Sequence, residues 1–216
     1  MKALIVGLGS VGSRHLNNLH KLGVTKLSAY RYRNLPPPNK LQAIKPVIFE
    51  NYDIALESKP DIVIISNPSS FHIPFALKAV NANCHIYLEK PLSDNLDGVD
   101  QLLSIAQKKE LVVSIGCQLR FHPNLLDIRK WLQKRIIGKV IFASVDVGEY
   151  LPSWHPWENY KEGYAANEKL GGGVILTLIH ELDYVYWLLG PVKQVFAIGG
   201  HLTPLELDVE DVALIS

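Results

Sequence analysis

A glycine-rich segment directly after an apolar run constrains the fold more than any other feature of the sequence. Residues 3–6 read Ala-Leu-Ile-Val and residues 7–12 read Gly-Leu-Gly-Ser-Val-Gly, after which apolar residues recur at helical spacing up to Leu22. This order predicts a buried strand, a tight turn and a helix start whose N–H groups bind phosphate. It therefore favours a dinucleotide site over a plain glycine turn. The residues predicted to bind the dinucleotide are Gly7, Gly9, Ser10, Val11 and Gly12.

Short apolar runs alternate with helix-length segments through the first half of the sequence. The run Ile62-Val63-Ile64-Ile65 is continuously apolar, which indicates a strand buried on both faces, as in a parallel sheet covered by helices. Pro36, Pro37 and Pro38 predict a stiff surface loop. The predicted strands span 3–6, 26–32, 46–49, 62–66, 85–88 and 112–116, and the predicted helices span 11–22, 52–58, 70–82 and 95–108.

The pattern changes after Gly116, and the second half reads as an α+β domain. Residues 139–148 alternate between apolar and polar side chains, as expected of a strand in an antiparallel sheet with one solvated face. Gly190-Pro191 ends an apolar helix predicted over 174–189. The other predicted elements are a helix over 124–134 and strands over 194–199 and 212–215.

These patterns predict two domains of the α/β class. A dinucleotide-binding domain is expected over 1–120, built on a doubly wound parallel sheet. A substrate and oligomerisation domain is expected over 121–216. Its antiparallel sheet of about three strands is thin for a domain, so we expect this part of the fold to be incomplete.

Composition argues against several classes of partner. The formal net charge of the 216 residues is +1, which gives no reason to expect nucleic acid or an anionic membrane surface. No apolar run approaches the length of a membrane span, and Met1-Lys2 leads directly into the first strand, so we expect no signal peptide. Cys84 and Cys117 form no C-x-x-C pair and follow apolar patterns, which favours buried free thiols in a reducing cytoplasm. No metal site is expected, because the segment 180–183 lacks the second histidine of a zinc-binding helix.

Further motifs follow the glycine-rich segment in a defined order. Asn67-Pro68 and His72 follow the fourth predicted strand, Glu89-Lys90-Pro91 closes the fifth, and Arg120-Phe121 follows the sixth. A glycine triplet and a histidine with a nearby aspartate lie within 171–183. Because ligands bind beyond the carboxyl ends of parallel strands, the motifs at strand ends are expected beside the dinucleotide.

In this combination and order, the chain resembles the glucose-fructose oxidoreductase and inositol dehydrogenase family (Gfo/Idh/MocA). The resemblance covers the whole chain, which accounts for about two thirds of a typical member. It implies an N-terminal Rossmann domain and an NAD(P)-dependent oxidoreductase acting on a sugar, nucleotide sugar or polyol. The additional cofactor contacts that it implies are Asn67, Pro68, His72, Glu89, Lys90 and Arg120.

The resemblance also implies that Lys90 is the catalytic lysine and His180 the acid/base for the substrate hydroxyl. An imidazole titrates near neutrality without help, whereas the pKa of a lysine must fall from about 10.4 before it can act as a base. We therefore expect His180 to take the proton and Lys90 to polarise and position the oxygen. Alternatively, His180 is a structural residue that forms a hydrogen bond within the core.

The chain departs from the family beside this histidine. Family members often carry an aspartate four residues earlier, where this chain has Leu176. Asp183 lies three residues after His180 on the same helical face. It is therefore predicted either to orient the imidazole as a catalytic residue or to be structural.

The end of the second strand bears on the choice of cofactor. An NAD site places a carboxylate about 20 residues after the last glycine to bind the ribose hydroxyls. This chain has Arg31 and Arg33 there, and two guanidiniums can clamp a 2′-phosphate. We therefore expect the cofactor to be NADP. The alternative is that the arginines form a solvated basic strand end and that the cofactor is NAD.

The aromatic-rich loop over 150–169 resembles the substrate-contacting loop of the family. Aromatic faces suit sugar rings, although Trp154 and Trp157 are explained equally well as core or interface residues. Substrate contacts are expected from Tyr150, Tyr160, Lys169 and Thr177, together with Lys90 and His180.

Two other functions stay open at this point, and one expectation concerns assembly. The alternatives are a redox-cycling hydrolase or lyase of the same fold and a non-catalytic dinucleotide-binding or regulatory protein. The last predicted strand has an open edge and its sheet would expose apolar side chains. We therefore expect self-association, most simply as a two-fold dimer through the second domain.

Overall fold

A computed structural model describes residues 1–31, 44–156 and 158–216. It divides into two compact units, residues 1–116 and residues 117–216, and each is described here by itself. The predicted proline-rich loop and the end of the second predicted strand lie outside the described residues.

The first unit is built on a parallel sheet of six strands in the order β3-β2-β1-β4-β5-β6. This is the order of a doubly wound dinucleotide-binding fold, and it confirms the predicted fold class. The strands are β1 (Lys2–Val6), β2 (Lys26–Tyr30), β3 (Val47–Phe49), β4 (Ile62–Ile65), β5 (His85–Leu88) and β6 (Val113–Ile115). The helices are α1 (Ser10–Lys21), α2 (Tyr52–Glu57), α3 (His72–Asn81) and α4 (Val99–Lys108).

Strand β1 lies at the centre of this sheet and is buried on both faces. Leu4 and Val6 pack into one core cluster, which includes Ile73 of α3. Ala3 and Ile5 point to the opposite face, into a cluster with Leu16 of α1. Because successive side chains of a strand alternate between faces, only an apolar strand such as β1 fits between two layers of helices. The register pairs Ala3 with Leu27 on one side and with Ile62 on the other.

Two helices of the first unit begin later than predicted. A 3₁₀ turn over Ser69–Phe71 precedes α3. Helix α4 begins at Val99, four residues after the predicted start, because Gly98 before it has a φ of 77°, in the left-handed region. Apolar periodicity alone does not reveal such turns at a helix start.

The second unit contains three α-helices and one small sheet among its described residues. The helices are α5 (Pro123–Gln133), α6 (Val174–Thr177) and α7 (His180–Leu189), and short 3₁₀ turns lie between α5 and α6. Strands β7 (Ala197–Gly200) and β8 (Val212–Ile215) pair antiparallel, with Ala197 opposite Ile215.

The predicted strand over 139–148 is wrong. Residues 141–150 are all exposed and belong to no ladder among the described residues. The alternating pattern is there, but a strand also needs a hydrogen-bonding neighbour, and none of the described strands pairs with these residues. The predicted antiparallel sheet therefore has two strands rather than three.

The predicted single helix over 174–189 is two helices. Helix α6 ends at Thr177, whose hydroxyl donates to the Gly173 carbonyl at 2.7 Å. This back-bonding competes with the helical ladder and is a known cause of bends. Leu178 leaves the helical conformation, with φ −103° and ψ 35°. As a result His180 lies in the first turn of a new helix rather than in the middle of a long one.

Gly12 provides the sharpest test of how α1 packs on β1. A Cβ atom at Gly12 would collide with the carbonyl oxygen of Gly7, which is backbone and cannot rotate away. We expect Gly12→Ala to lower the free energy of unfolding by about 1–3 kcal/mol or more in chemical denaturation.

Gly9→Ala is the matched control for this prediction. A Cβ at Gly9 has no atom within 4 Å, and Gly9 has an ordinary φ of −69°. We expect this variant to stay within about 0.5 kcal/mol of the wild type. Equal stability of the Gly12→Ala variant and the wild type would contradict the packing described here.

Candidate active site

The glycine turn between β1 and α1 forms an open cradle at the carboxyl edge of the sheet. Gly7 has a φ of 87°, and its N–H donates to the Tyr30 carbonyl at 3.1 Å. The position of Gly9 faces open space, while Gly12 lies against Gly7. The first turn of α1 contains no acidic residue, and no side chain caps it. Backbone N–H groups at such a helix start can hold an anion, so the turn fits a diphosphate.

The loops after β4 and β5 lie at the same edge of the sheet as this turn. Ser66 joins the first of them to the turn, because its hydroxyl lies 2.9 Å from the Val6 carbonyl and 3.1 Å from the Gly7 carbonyl. Asn67 and Pro68 follow directly. The second loop contains Lys90, which is half-buried, and the N–H of Glu89 before it donates to the Ile65 carbonyl at 2.9 Å.

His72 joins these two loops and is 1% exposed. Its Nδ1 lies 2.9 Å from the Pro91 carbonyl oxygen and its Nε2 lies 2.9 Å from the Asn67 carbonyl oxygen. Burial lowers the pKa of the ring, and the two carbonyls only partly oppose this. The predicted contact between His72 and the cofactor is therefore not supported, because the buried ring is held on both sides by backbone carbonyls. Its position instead fixes the loops that carry Asn67 and Lys90.

Glu89 meets a residue that the sequence analysis did not identify. Its Oε1 lies 2.5 Å from Nε2 of His15 on α1, and both side chains are largely buried. Burial by itself raises the pKa of the Glu89 carboxyl, but the bond to His15, the charges of His15 and Arg14 and the backbone N–H of Lys90 together lower it. Glu89 is therefore a carboxylate at neutral pH. The only signal in the sequence was a histidine three residues after Gly12.

Arg31 follows β2 at the edge of the sheet where the glycine turn lies. Its N–H donates to the Phe49 carbonyl at 3.1 Å, which fixes the backbone, and its side chain is half-buried. Burial lowers the pKa of the guanidinium from its very high ordinary value, and an arginine stays charged in proteins. Arg33, the second predicted arginine, lies outside the described residues.

In the second unit, Asp183 is bound by Arg120. Nε and Nη2 of Arg120 donate to Oδ2 and Oδ1 of Asp183 at 2.9 and 2.5 Å. Hydrogen bonding to Asp183 raises the pKa of the Arg120 guanidinium. A carboxylate whose two oxygens accept from one guanidinium is a rigid structural pair. This pair favours the structural alternative for Asp183, and the contact of Arg120 with the cofactor stays a prediction.

Gln118 is the neighbour of His180 instead. Its side-chain Nε2 lies 3.0 Å from Nε2 of His180. Gln118 and Arg120 belong to one 3₁₀ turn, Gln118–Phe121, and contact the first turn of α7 side by side. Sequence spacing within the helix could not identify this partner, because it lies 62 residues away along the chain.

The glycine triplet before α6 allows a close approach by Glu210. A side chain at Gly173 would collide with the Glu210 carboxylate, which accepts the N–H of Ile175 at 3.0 Å. The Glu210 carbonyl also accepts the N–H of Val174 at 2.9 Å. These bonds fix the start of α6 and, through it, the segment that leads to His180.

The predicted substrate residues of the second unit differ in their exposure and in whether their side chains already form hydrogen bonds. Tyr150 and Lys169 are exposed. The Tyr160 hydroxyl accepts the N–H of Glu206 at 3.2 Å. Thr177 is 5% exposed and its hydroxyl is bonded to Gly173, so the predicted substrate contact from Thr177 is not supported.

Two further observations concern metals and membranes. Within 1–31, 44–156 and 158–216, no three His, Cys, Asp or Glu side chains come together in a way that could hold a metal ion. Across the same ranges, no helix is both long and apolar enough to cross a membrane.

Comparison with known proteins identifies first the class of protein to which the chain belongs and then its family. Residues 1–117 match a family model described as an oxidoreductase family with an NAD-binding Rossmann fold. Residues 125–216 match the GFO/IDH/MocA C-terminal domain. The chain belongs to the Gfo/Idh/MocA family of oxidoreductases, as its motifs predict.

Individual relatives are distant in sequence and close in fold. Myo-inositol 2-dehydrogenase of Thermotoga maritima is 24% identical over 212 residues, which cover 96% of this chain and 60% of that protein. The structure of myo-inositol 2-dehydrogenase from Lactobacillus plantarum has a TM-score of 0.83 at 19% identity, covering 100% of this chain and 65% of that one. The WlbA dehydrogenase from Bordetella pertussis, solved with NADH and UDP-GlcNAcA, has a TM-score of 0.81 at 18% identity, covering 100% and 67%.

The chain spans about three fifths of the length of the first curated relatives that it matches, 60% in both cases. The activity of those whole proteins therefore bears on this chain only as a proposal.

Proposed function

We propose that the protein is an NAD(P)-dependent oxidoreductase that transfers a hydride between nicotinamide and a hydroxyl or carbonyl carbon of a sugar, polyol or nucleotide sugar. The observation that carries the proposal is the open glycine turn at the sheet edge that also bears Lys90. Membership of the Gfo/Idh/MocA family supports the reaction class. The inositol and nucleotide-sugar ligands named for its relatives support the substrate class.

The diphosphate of the cofactor is proposed to lie over Gly9, against the N–H groups of Ser10, Val11 and Gly12. A side chain at Gly9 would fill this space, and the absence of acidic residues in the first turn of α1 removes a repulsive charge. Asn67 and Glu89, which follow β4 and β5, are proposed to contact the nicotinamide half. When bound, the nicotinamide supplies the hydride acceptor or donor.

Lys90 and His180 are proposed to have different roles at the substrate oxygen, one stabilising charge and the other accepting the proton. Lys90 holds a positive charge beside that oxygen and favours the alkoxide character that develops as hydride leaves the carbon. His180 takes the hydroxyl proton, since an imidazole changes charge near neutral pH.

Gln118 is proposed to fill the orienting role predicted for Asp183. With its amide turned so that the carbonyl oxygen faces Nε2, Gln118 accepts the N–H of His180 in both the neutral and the protonated ring, and Nδ1 is the nitrogen that takes the substrate proton. Both states of the His180 acid/base therefore have a partner in Gln118.

Arg31 supports NADP as the preferred cofactor. The end of β2 carries this guanidinium where an NAD site carries a carboxylate, and a guanidinium binds a phosphate through charge-assisted hydrogen bonds. NAD is the alternative, because the WlbA dehydrogenase from Bordetella pertussis, a structural relative, was solved with NADH.

Self-association through the second unit and a cytoplasmic location stay predictions. The two-stranded sheet leaves apolar side chains exposed, among them Ile198, Leu214 and Val212. An apolar sheet surface of this kind favours association with a second copy.

The roles of Lys90 and His180 can be tested by rapid mixing of the protein with nicotinamide cofactor and a panel of myo-inositol and nucleotide sugars. We expect Lys90→Ala and His180→Ala each to slow hydride transfer about 10²–10⁴-fold, because positioned acid–base groups contribute this much. Cofactor affinity should stay within about threefold for His180→Ala.

His20→Ala and Lys108→Ala are the matched controls, because both residues are exposed and belong to none of the motifs. They should leave the rate unchanged. Full activity of His180→Ala would show that His180 is only a core residue, and failure of the wild type on every substrate would favour a non-catalytic dinucleotide-binding protein.

The cofactor preference can be tested by calorimetry with NADPH and NADH. The wild type should bind NADPH more tightly. Arg31→Ala should lose about 1.5–3 kcal/mol of NADPH affinity, because a hydrogen bond to a charged group is removed, with NADH affinity nearly unchanged. Equal or tighter NADH binding by the wild type would refute the preference.

A further inference from the structure

His15 lies between the cofactor cradle and the loop of Lys90. It belongs to α1, the helix that begins at the glycine turn. Its Nε2 contacts Oε1 of Glu89 at 2.5 Å across 74 residues of sequence. The two side chains are 16% and 12% exposed, so water competes little for this bond.

The orientation of the His15 ring is fixed from a second side. The ring meets Tyr87 edge to face, with centroids 5.3 Å apart and planes at 67°. Tyr87 lies on β5, two residues before Glu89, so the strand that holds the carboxylate also holds the imidazole. An aromatic contact of this geometry restricts rotation of the ring.

The carboxylate of Glu89 passes this constraint on to Lys90. It accepts the backbone N–H of Lys90 as well as the bond from His15, and both bonds stabilise its charged form. A continuous series of contacts thus runs from α1 through His15 and Glu89 to the main chain of Lys90. A buried carboxylate that loses one of its partners must take up a proton or turn towards water. Protonation weakens the carboxyl group as an acceptor for the N–H of Lys90, and rotation towards water removes it.

We infer that His15 is a positioning residue, which fixes the backbone of Lys90 through the Glu89 carboxylate. This inference rests on the proposed function only in the part that concerns turnover. The helix that holds the dinucleotide then also sets the place of the lysine that contacts the substrate oxygen. Misplacement of a reacting group by about 1 Å can cost on the order of 10²-fold in rate.

The test compares three variants of the full chain: His15→Leu, His15→Gln and the control His20→Leu. Leucine removes the donor, while glutamine keeps an N–H donor at nearly the position of Nε2. His20 belongs to the same helix and is exposed, so its variant reports the general effect of losing a histidine from α1.

The first measurement is hydrogen exchange of the Lys90 amide by NMR in the protein without cofactor. We expect exchange at least about 10-fold faster in His15→Leu, and within about threefold of the wild type in His15→Gln and His20→Leu. If His15→Leu does not fold, Glu89→Ala replaces it and is expected to speed exchange of the same amide, because alanine has no side-chain acceptor. Unchanged exchange in the folded variant that lacks the donor or the carboxylate would overturn the inference.

The second measurement is hydride transfer with saturating cofactor. His15→Leu should lower kcat about 10–100-fold, with the KM for cofactor within about threefold. Glutamine should restore most of the rate. A rise in KM at unchanged kcat would overturn the positioning role, because it would place His15 in cofactor binding. If the wild type has no turnover, the proposed function fails, and the exchange of the Lys90 amide still decides whether His15 holds this backbone.

Discussion

The close approach of α1 to the end of β1 is the constraint on which the rest of the first unit depends. The approach exists because Gly12 has no side chain to meet the Gly7 carbonyl. It aims the start of α1 at the carboxyl edge of the sheet and places Leu16 in the core on one face. It also brings His15 within reach of Glu89, which follows β5, two strands away from β1 in the sheet. One packing contact therefore sets the cradle for the cofactor and the environment of the neighbouring lysine.

The polar groups at the site edge are held mainly by backbone rather than by other side chains. His72 contacts two main-chain carbonyls, and Ser66 donates to the turn before α1. Glu89 reaches the main chain of Lys90. Bonds of this kind fix loops that would otherwise be free to move, and a site on rigid loops loses less free energy to ordering when a ligand binds. In the second unit, a hydrogen bond from the backbone of Ile175 to the Glu210 carboxylate fixes the start of α6 in a similar way.

The sequence predicted the features that depend on local pattern. The continuous apolar run of β4 predicted burial on both faces, and the glycine spacing predicted the turn before α1. The motifs also predicted the family. The failures arise from hydrogen bonds, which the pattern of apolar residues does not report. Residues 139–148 have the alternation of a strand but pair with none of the described strands, and the Thr177 hydroxyl at the end of α6 bonds back to Gly173, which periodicity does not show. Asp183 has the right spacing for His180, but Arg120 binds it with better geometry.

The most direct test of the account is dinucleotide binding by the wild type and by Gly9→Ala, measured by calorimetry with NADPH and NADH. The open space over Gly9 should admit the diphosphate, so the wild type should bind at least one of the two with a Kd between about 1 μM and 1 mM, the usual range for an enzyme and its substrate. Gly9→Ala should bind at least about 10-fold more weakly, because its methyl group lies where the diphosphate is proposed to lie. No binding by a folded wild type, or equal binding by the two proteins, would contradict the central claim that this turn holds the cofactor.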